Sequence, residues 1–112
     1  MNLETNKYLY DIKDSVRMIE SYLGLKRNFN EFKSDMYLQD AVMRRLEIIG
    51  EAVNRILKSN PEIKISEPRK IVAFRNKIAH EYDSITIEYV WAVLSKNLPV
   101  LKTEVEALLK NE

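Results

Sequence analysis

Apolar residues recur at intervals of three and four along almost the whole chain, and strict alternation of apolar with polar positions is scarce. This periodicity predicts helices and no sheet. A first helix is expected from about Thr5 to Leu23, with Leu9, Ile12, Val16, Ile19 and Leu23 on one face and Gly24 as its C-terminal stop. A short polar connection containing Phe29 and Phe32 follows. The second helix is expected to start near Ser34 or Asp35 and to carry Leu38, Val42, Leu46, Ile49, Val53 and Ile56 before Asn60-Pro61 ends it. It is the longest amphipathic element. A loop from Pro61 to Ile65 leads to Ser66, read as the N-cap of a third helix whose first turn tolerates Pro68 and which reaches about His80. Asp83-Ser84-Ile85-Thr86 reads as a turn, with Thr86 capping a fourth helix that turns Ile87, Val90, Trp91 and Leu94 inward. Pro99 removes one helical hydrogen bond, so the segment to Leu109 is either a kinked continuation or a fifth helix. The expected architecture is all-α, one domain over residues 1–112 built as a bundle of four or five helices.

Composition narrows the chemistry. The 112 residues contain no cysteine, which excludes a disulfide, a thiolate zinc site and a thiol nucleophile. His80 is the one histidine, so a site of two or three imidazoles cannot be assembled within one chain, and a Ser-His-Asp triad would have to use that residue. Gly24 and Gly50 are the only glycines and neither lies in a Gly-rich run, which rules out a Walker loop and a dinucleotide fingerprint. No metal and no cofactor are expected.

The net charge of +1 hides an uneven distribution. Residues 41–80 hold nine basic and four acidic side chains, a local excess of +5, whereas residues 1–40 and 81–112 are slightly acidic. Such a segment suits a polyanion, although scattered Lys and Arg also make ordinary solvated helix faces. The N-terminus is polar, and the longest apolar run, Tyr89 to Leu94, is far shorter than the ~20 residues of a membrane span. A cytoplasmic protein without a membrane partner is expected.

The third helix contains one anomaly. On a wheel of about 100° per residue, Ile71, Val72, Phe74, Ile78 and Ala79 bound an apolar arc, and Arg75 falls near its middle. An always-charged guanidinium there needs an answering group. Asn76 and His80, in i,i+4 relation, share the flank. Three structural explanations compete with a functional one: Arg75 pairing with Glu47 or Glu51 of the second helix, His80 interacting with the carbonyl end of its own helix, and Tyr82 acting as a packing residue with a wet hydroxyl. Spacing leaves all of them open.

The string Arg75-Asn76-Lys77-Ile78-Ala79-His80-Glu81-Tyr82 resembles the Arg-x4-His motif of HEPN domains, in the Arg-Asn-x3-His-x-Tyr form of the HepT-like family. Ile48-Ile49-Gly50-Glu51-Ala52 resembles the family's Ile-Gly-Glu-Ala stretch, and Val90-Trp91 with Leu98-Pro99-Val100-Leu101 resembles its C-terminal helix. The pieces fall in the family's order over about residues 38–105, and the N-terminal helix matches by pattern. Two positions depart from it. Arg69 follows Pro68 where many relatives carry Trp, and Ala73-Phe74 stands where a small residue and Met often precede the motif arginine.

This resemblance implies a four- to five-helix bundle of HEPN type and a metal-independent endoribonuclease. It implies the toxin of a type VII-like toxin–antitoxin system, working as a homodimer with both motifs at one cleft and neutralised by a minimal nucleotidyltransferase antitoxin. In some members the antitoxin adenylylates the motif tyrosine, here Tyr82. RNA cleavage without metal needs a base for the 2′-hydroxyl, an acid for the leaving 5′-oxygen and a cation for the phosphorane. One histidine cannot readily serve both proton steps, whereas a two-fold dimer brings two copies of His80 and of Arg75 to one phosphate. In that scheme His80 is the acid or base and Arg75 holds the phosphate. Asn76 and Lys77 support the RNA phosphate, and Tyr82 contacts RNA or receives the modification. The alternative is a non-catalytic dimeric module that binds RNA, a nucleotide or a nucleotidyltransferase partner.

Overall fold

The computed structural model describes residues 2–25 and 27–110. Among them there is no strand. The elements are α1 (Leu3–Leu23), α2 (Phe29–Ser34), α3 (Met36–Ser59) and α4 (Pro68–His80), then a single 3₁₀ turn (Tyr82–Ser84), α5 (Ile87–Ala92), a π-helical turn (Val93–Asn97) and α6 (Leu98–Lys110). Among the described residues no helix is long and apolar enough to cross a membrane.

The core follows the periodicity. Leu9, Ile12, Val16 and Ile19 of α1 face Val42, Leu46, Ile49, Val53 and Ile56 of α3, and all are buried. Helix α1 starts two residues earlier than expected because the Asn2 side chain accepts the Thr5 N–H at 2.7 Å. It ends at Gly24, whose φ of 73° with extended ψ is a combination open to glycine and strained for other residues. Asp35 caps α3 by accepting the Leu38 N–H at 3.0 Å, and Asn60 closes it.

Two local expectations are corrected. The connection holding Phe29 and Phe32 contains a short helix, α2, capped by Asn28, which accepts the Glu31 N–H at 3.1 Å. Phe32 is fully buried, and its ring lies 5.4 Å from that of Trp91, with Phe29 edge-on to the same indole at 5.6 Å. Six residues are too few for a period to register, and Trp91 supplies the packing that makes the turn persist. Ser66 does not cap α4 either. Its N–H and hydroxyl both reach Glu104 of α6, at 3.0 and 2.6 Å, and the cap position passes to Glu67, in the left-handed region at φ 47° with no side-chain cap bond.

The Pro99 region resolves as one continuous helix from α5 into α6, widened by the π turn. The Leu98 N–H bonds the Val93 carbonyl, five residues back. Leu94 O would then need an N–H at position 99, where proline has none. Arg27 fills the vacancy, its Nη1 donating to Leu94 O at 3.3 Å. This helix packs on α1, and α4 packs on α3. The second pairing builds the site.

Candidate functional site

Helices α3 and α4 lie antiparallel: Tyr82, just past the end of α4, reaches Asp40 near the start of α3, while Arg75, higher on α4, meets Glu51. What lets them approach is Gly50. A Cβ built there would come within 2.8 Å of Arg75 Cγ and closer still to its Cβ, with the Ile71 carbonyl 3.3 Å away. The glycine therefore lets the base of the Arg75 side chain lie against the α3 backbone.

Arg75 is mostly covered, with 28% of its side chain exposed, and Glu51 Oε2 answers it at 2.8 Å from Nη2. Of the two partners that spacing allowed, Glu51 takes the role. Glu47 pairs instead with Arg44 at 3.1 Å. Arg55 also donates from Nε to Glu51 at 2.9 Å. That hydrogen bond, opposed by burial and assisted by the charge of Arg75, holds the Glu51 carboxyl below the usual carboxylate range. Arg75 Nη1 donates to Asn76 Oδ1 at 2.9 Å. A guanidinium only donates, so this bond fixes the Asn76 amide with its oxygen toward Arg75 and its NH₂ turned elsewhere. The third guanidinium nitrogen, Arg75 Nε, is buried and has no hydrogen-bond partner among the described residues. Such a group is uncommon in a settled protein interior.

His80 is the last residue of α4 and is exposed, as are Asn76 and Lys77. The bonds of Arg75 run to Glu51 and Asn76; within one chain they do not link it to His80. Tyr82 is not merely a packing residue. Its hydroxyl donates to Asp40 Oδ1 at 2.6 Å, and burial, followed by that bond, pushes the phenol up to about 12. The ring remains 44% exposed. Asp40 was not foreseen as part of this constellation. It shares with Glu47 and Glu51 one stripe of α3, seven and eleven residues apart, but only the fold shows which end of that stripe the turn after α4 meets. Among the described residues no group of three or more His, Asp or Glu side chains is placed to hold a metal ion.

The profile described as ribonuclease HepT-like matches residues 12–108. A protein of Thermococcus cleftensis named as a probable ribonuclease HepT is 33% identical over 104 residues, covering 92% of this chain and 94% of its own. A protein of Caldanaerobacter subterraneus with a provisional RNase name is 34% identical over 96 residues, 85% of this chain and 84% of that one. Another, from Methanocaldococcus jannaschii, is 34% identical over 113 residues, with 96% and 89% covered. No solved structure gives a significant match. With the family profile spanning nearly the whole helical bundle, and with relatives covered over most of their length, the chain belongs to the HepT-like ribonuclease family, of HEPN type.

Proposed function

We propose that this HepT-like ribonuclease cuts RNA without metal, at a cleft shared by two copies of the chain, and serves as the toxin of a toxin–antitoxin pair acting on cytoplasmic RNA. The observation that carries the reading is Arg75: a guanidinium fixed in the α3–α4 seam by Glu51 and Asn76, with a buried Nε–H left unpartnered beside the helix end that bears an exposed His80. A phosphate binds the exposed part of this guanidinium, through the Nη N–H groups not given to Glu51 and Asn76.

In this mechanism the imidazole of one His80 removes the proton of the 2′-hydroxyl, whose oxygen attacks the adjacent phosphorus. The P–O5′ bond breaks, and the His80 of the second copy, in its protonated form, donates a proton to the departing 5′-oxygen. The products are a 2′,3′-cyclic phosphate and a 5′-hydroxyl. Arg75 stabilises the added negative charge of the phosphorane, and Asn76 and Lys77 hold the phosphate. The lone histidine makes the dimer part of the chemistry.

Control falls on Tyr82. A minimal nucleotidyltransferase antitoxin adenylylates its hydroxyl, forming a P–O bond to the phenolic oxygen with release of pyrophosphate from ATP. The hydroxyl proton now given to Asp40 is then lost, and a phosphodiester charge stands beside that carboxylate. Repulsion displaces the turn that follows His80, and the added group obstructs the cleft. The tests are direct. The purified protein should cleave RNA in EDTA to cyclic-phosphate ends, and His80→Ala should abolish the cleavage. Cutting that survives this substitution, or that depends on added metal, overturns the mechanism; an unchanged intact mass after co-expression with a minimal nucleotidyltransferase encoded beside it overturns the control, as does the lack of any such gene.

A further inference from the structure

A groove of about 340 Å³ lies between α3 and α4 on the side of the seam away from Tyr82, lined by Asn54, Leu57 and Lys58 of α3 and by Arg69, Val72, Ala73 and Asn76 of α4. Its lining contains two cations, two amides and an apolar floor, and no acid. The carboxylates nearby along the two helices are already engaged: Glu47 with Arg44, Glu51 with Arg55 and Arg75, and Glu67 with Lys70. Lys58 and Arg69 are exposed, and among the described residues neither forms a salt bridge.

The groove is in register with the motif. At about 100° per residue, Arg69, Asn76 and His80 fall within about 40° of one another on α4, with Arg69 and His80 about 16 Å apart along the axis. Asn76 belongs to both places: its oxygen is held by Arg75, so its NH₂ is free to donate on the groove side. On α3, Asn54 and Lys58 are one turn apart and line the opposite wall.

Resting on the ribonuclease reading, we propose that this groove is a second phosphate subsite, which binds a phosphodiester of the same single RNA strand that flanks the one cleaved at His80. Lys58 and Arg69 bind the phosphate charge, Asn54 and Asn76 donate to its oxygens or to the sugar, and Leu57 and Val72 take the apolar face of the nucleotide. The strand thus follows the α3–α4 seam, and Asn76 links the subsite to the reacting phosphate. The chemistry is independent of sequence, so the groove contributes affinity and register rather than base choice.

The test measures binding without turnover. A short fluorescent single-stranded RNA is titrated against the His80→Ala protein over a range of salt, alone and with Lys58→Gln plus Arg69→Gln added. The control adds Lys7→Gln plus Arg17→Gln on α1, which removes the same charge elsewhere. The groove pair should weaken binding about tenfold and flatten the salt slope by about 0.7–1.4, while the α1 pair leaves both nearly unchanged. Equal effects from the two pairs, or none from the groove pair, overturn the proposal. The two failures are separable. Protein that cuts RNA while the groove pair has no effect on binding disproves the subsite alone; a groove-dependent salt slope in protein that never cuts RNA disproves the ribonuclease reading and leaves the subsite standing.

Discussion

Arg75 Nη2 lies 2.8 Å from Glu51 Oε2, and the two residues belong to different helices that touch through Gly50. The pair is partly exposed, at 28% and 36%, so its contribution to stability is small, below about 1 kcal/mol. In the proposed mechanism its contribution to function is larger, because it fixes the direction of the guanidinium assigned to the phosphate. Glu51→Ala should lower kcat on RNA about tenfold with little change in thermal stability, and Glu51→Gln, which keeps an acceptor, should lose less. Full activity in Glu51→Ala rules out this positioning role.

The same residue predicts an acid-side effect. Its carboxyl is held below the ordinary value of about 4.3 first by the hydrogen bond from Arg55, with the charge of Arg75 adding to it. A depressed folded value means that the stabilisation is present above the unfolded value and is lost as pH falls through the folded one. The urea midpoints of the unmodified protein and of Glu51→Gln should therefore differ slightly at pH 7 and converge as the pH falls through the lowered Glu51 value. A gap that is constant over this range contradicts the assignment.

Gly50→Ala inverts a common rule. Glycine within a helix ordinarily costs stability relative to alanine. Here the new methyl group meets the Arg75 side chain, 2.8 Å from Cγ, and the Ile71 carbonyl at 3.3 Å. The substitution should destabilise by about 1–3 kcal/mol through overpacking, and should impair cleavage by pushing Arg75 off the seam. Gly24→Ala provides the contrast: nothing lies within 4 Å, but φ is +73°, so backbone strain of about 1–3 kcal/mol should appear with RNA cleavage per folded molecule unchanged. Equal losses of specific activity at the two glycines tell against a special role for the α3–α4 contact.

Tyr82 ties the turn after α4 to Asp40. Burial first, then this bond, raises the phenol to about 12, so the folded chain favours the neutral ring. The associated stability is present below the unfolded value of about 10 and is lost as pH rises through the folded one. In ultraviolet titration, the difference between the unmodified protein and Tyr82→Phe should show one phenol ionising near 12. Asp40→Asn should bring it part of the way back toward about 10, since burial persists. A difference spectrum with its midpoint already at 10 contradicts the Tyr82–Asp40 bond.

The helices were legible wherever a period had room to repeat. Leu9, Ile12, Val16 and Ile19, and the α3 series from Val42 to Ile56, predicted their own burial because a long amphipathic face has one way to hide. Arg75 was legible as an anomaly, with Glu51 among its possible partners, because both helices and their faces could be drawn. The misses depended on contacts between segments distant in sequence. Phe32 is held by Trp91, Ser66 is drawn from the cap by Glu104, and Asp40 meets Tyr82 across 42 positions. A local rule such as serine before a helical proline fails when a carboxylate on another helix offers a stronger, charge-assisted bond.

The segment around Pro99 predicts a coupling between residues far apart in sequence. Leu94 O accepts from Arg27 Nη1 at 3.3 Å because the π turn hands it to position 99, where proline has no N–H. Arg27→Ala should cost about 0.5–1.5 kcal/mol by leaving that carbonyl to water alone. Pro99→Ala restores a donor five residues on, so in its background Arg27→Ala should cost markedly less. The double-mutant cycle, read by urea denaturation, should then give a favourable interaction of about 0.5 kcal/mol or more between the two substitutions. Strict additivity would falsify the account, since it would mean that Arg27 and the missing proline donor do not serve the same carbonyl.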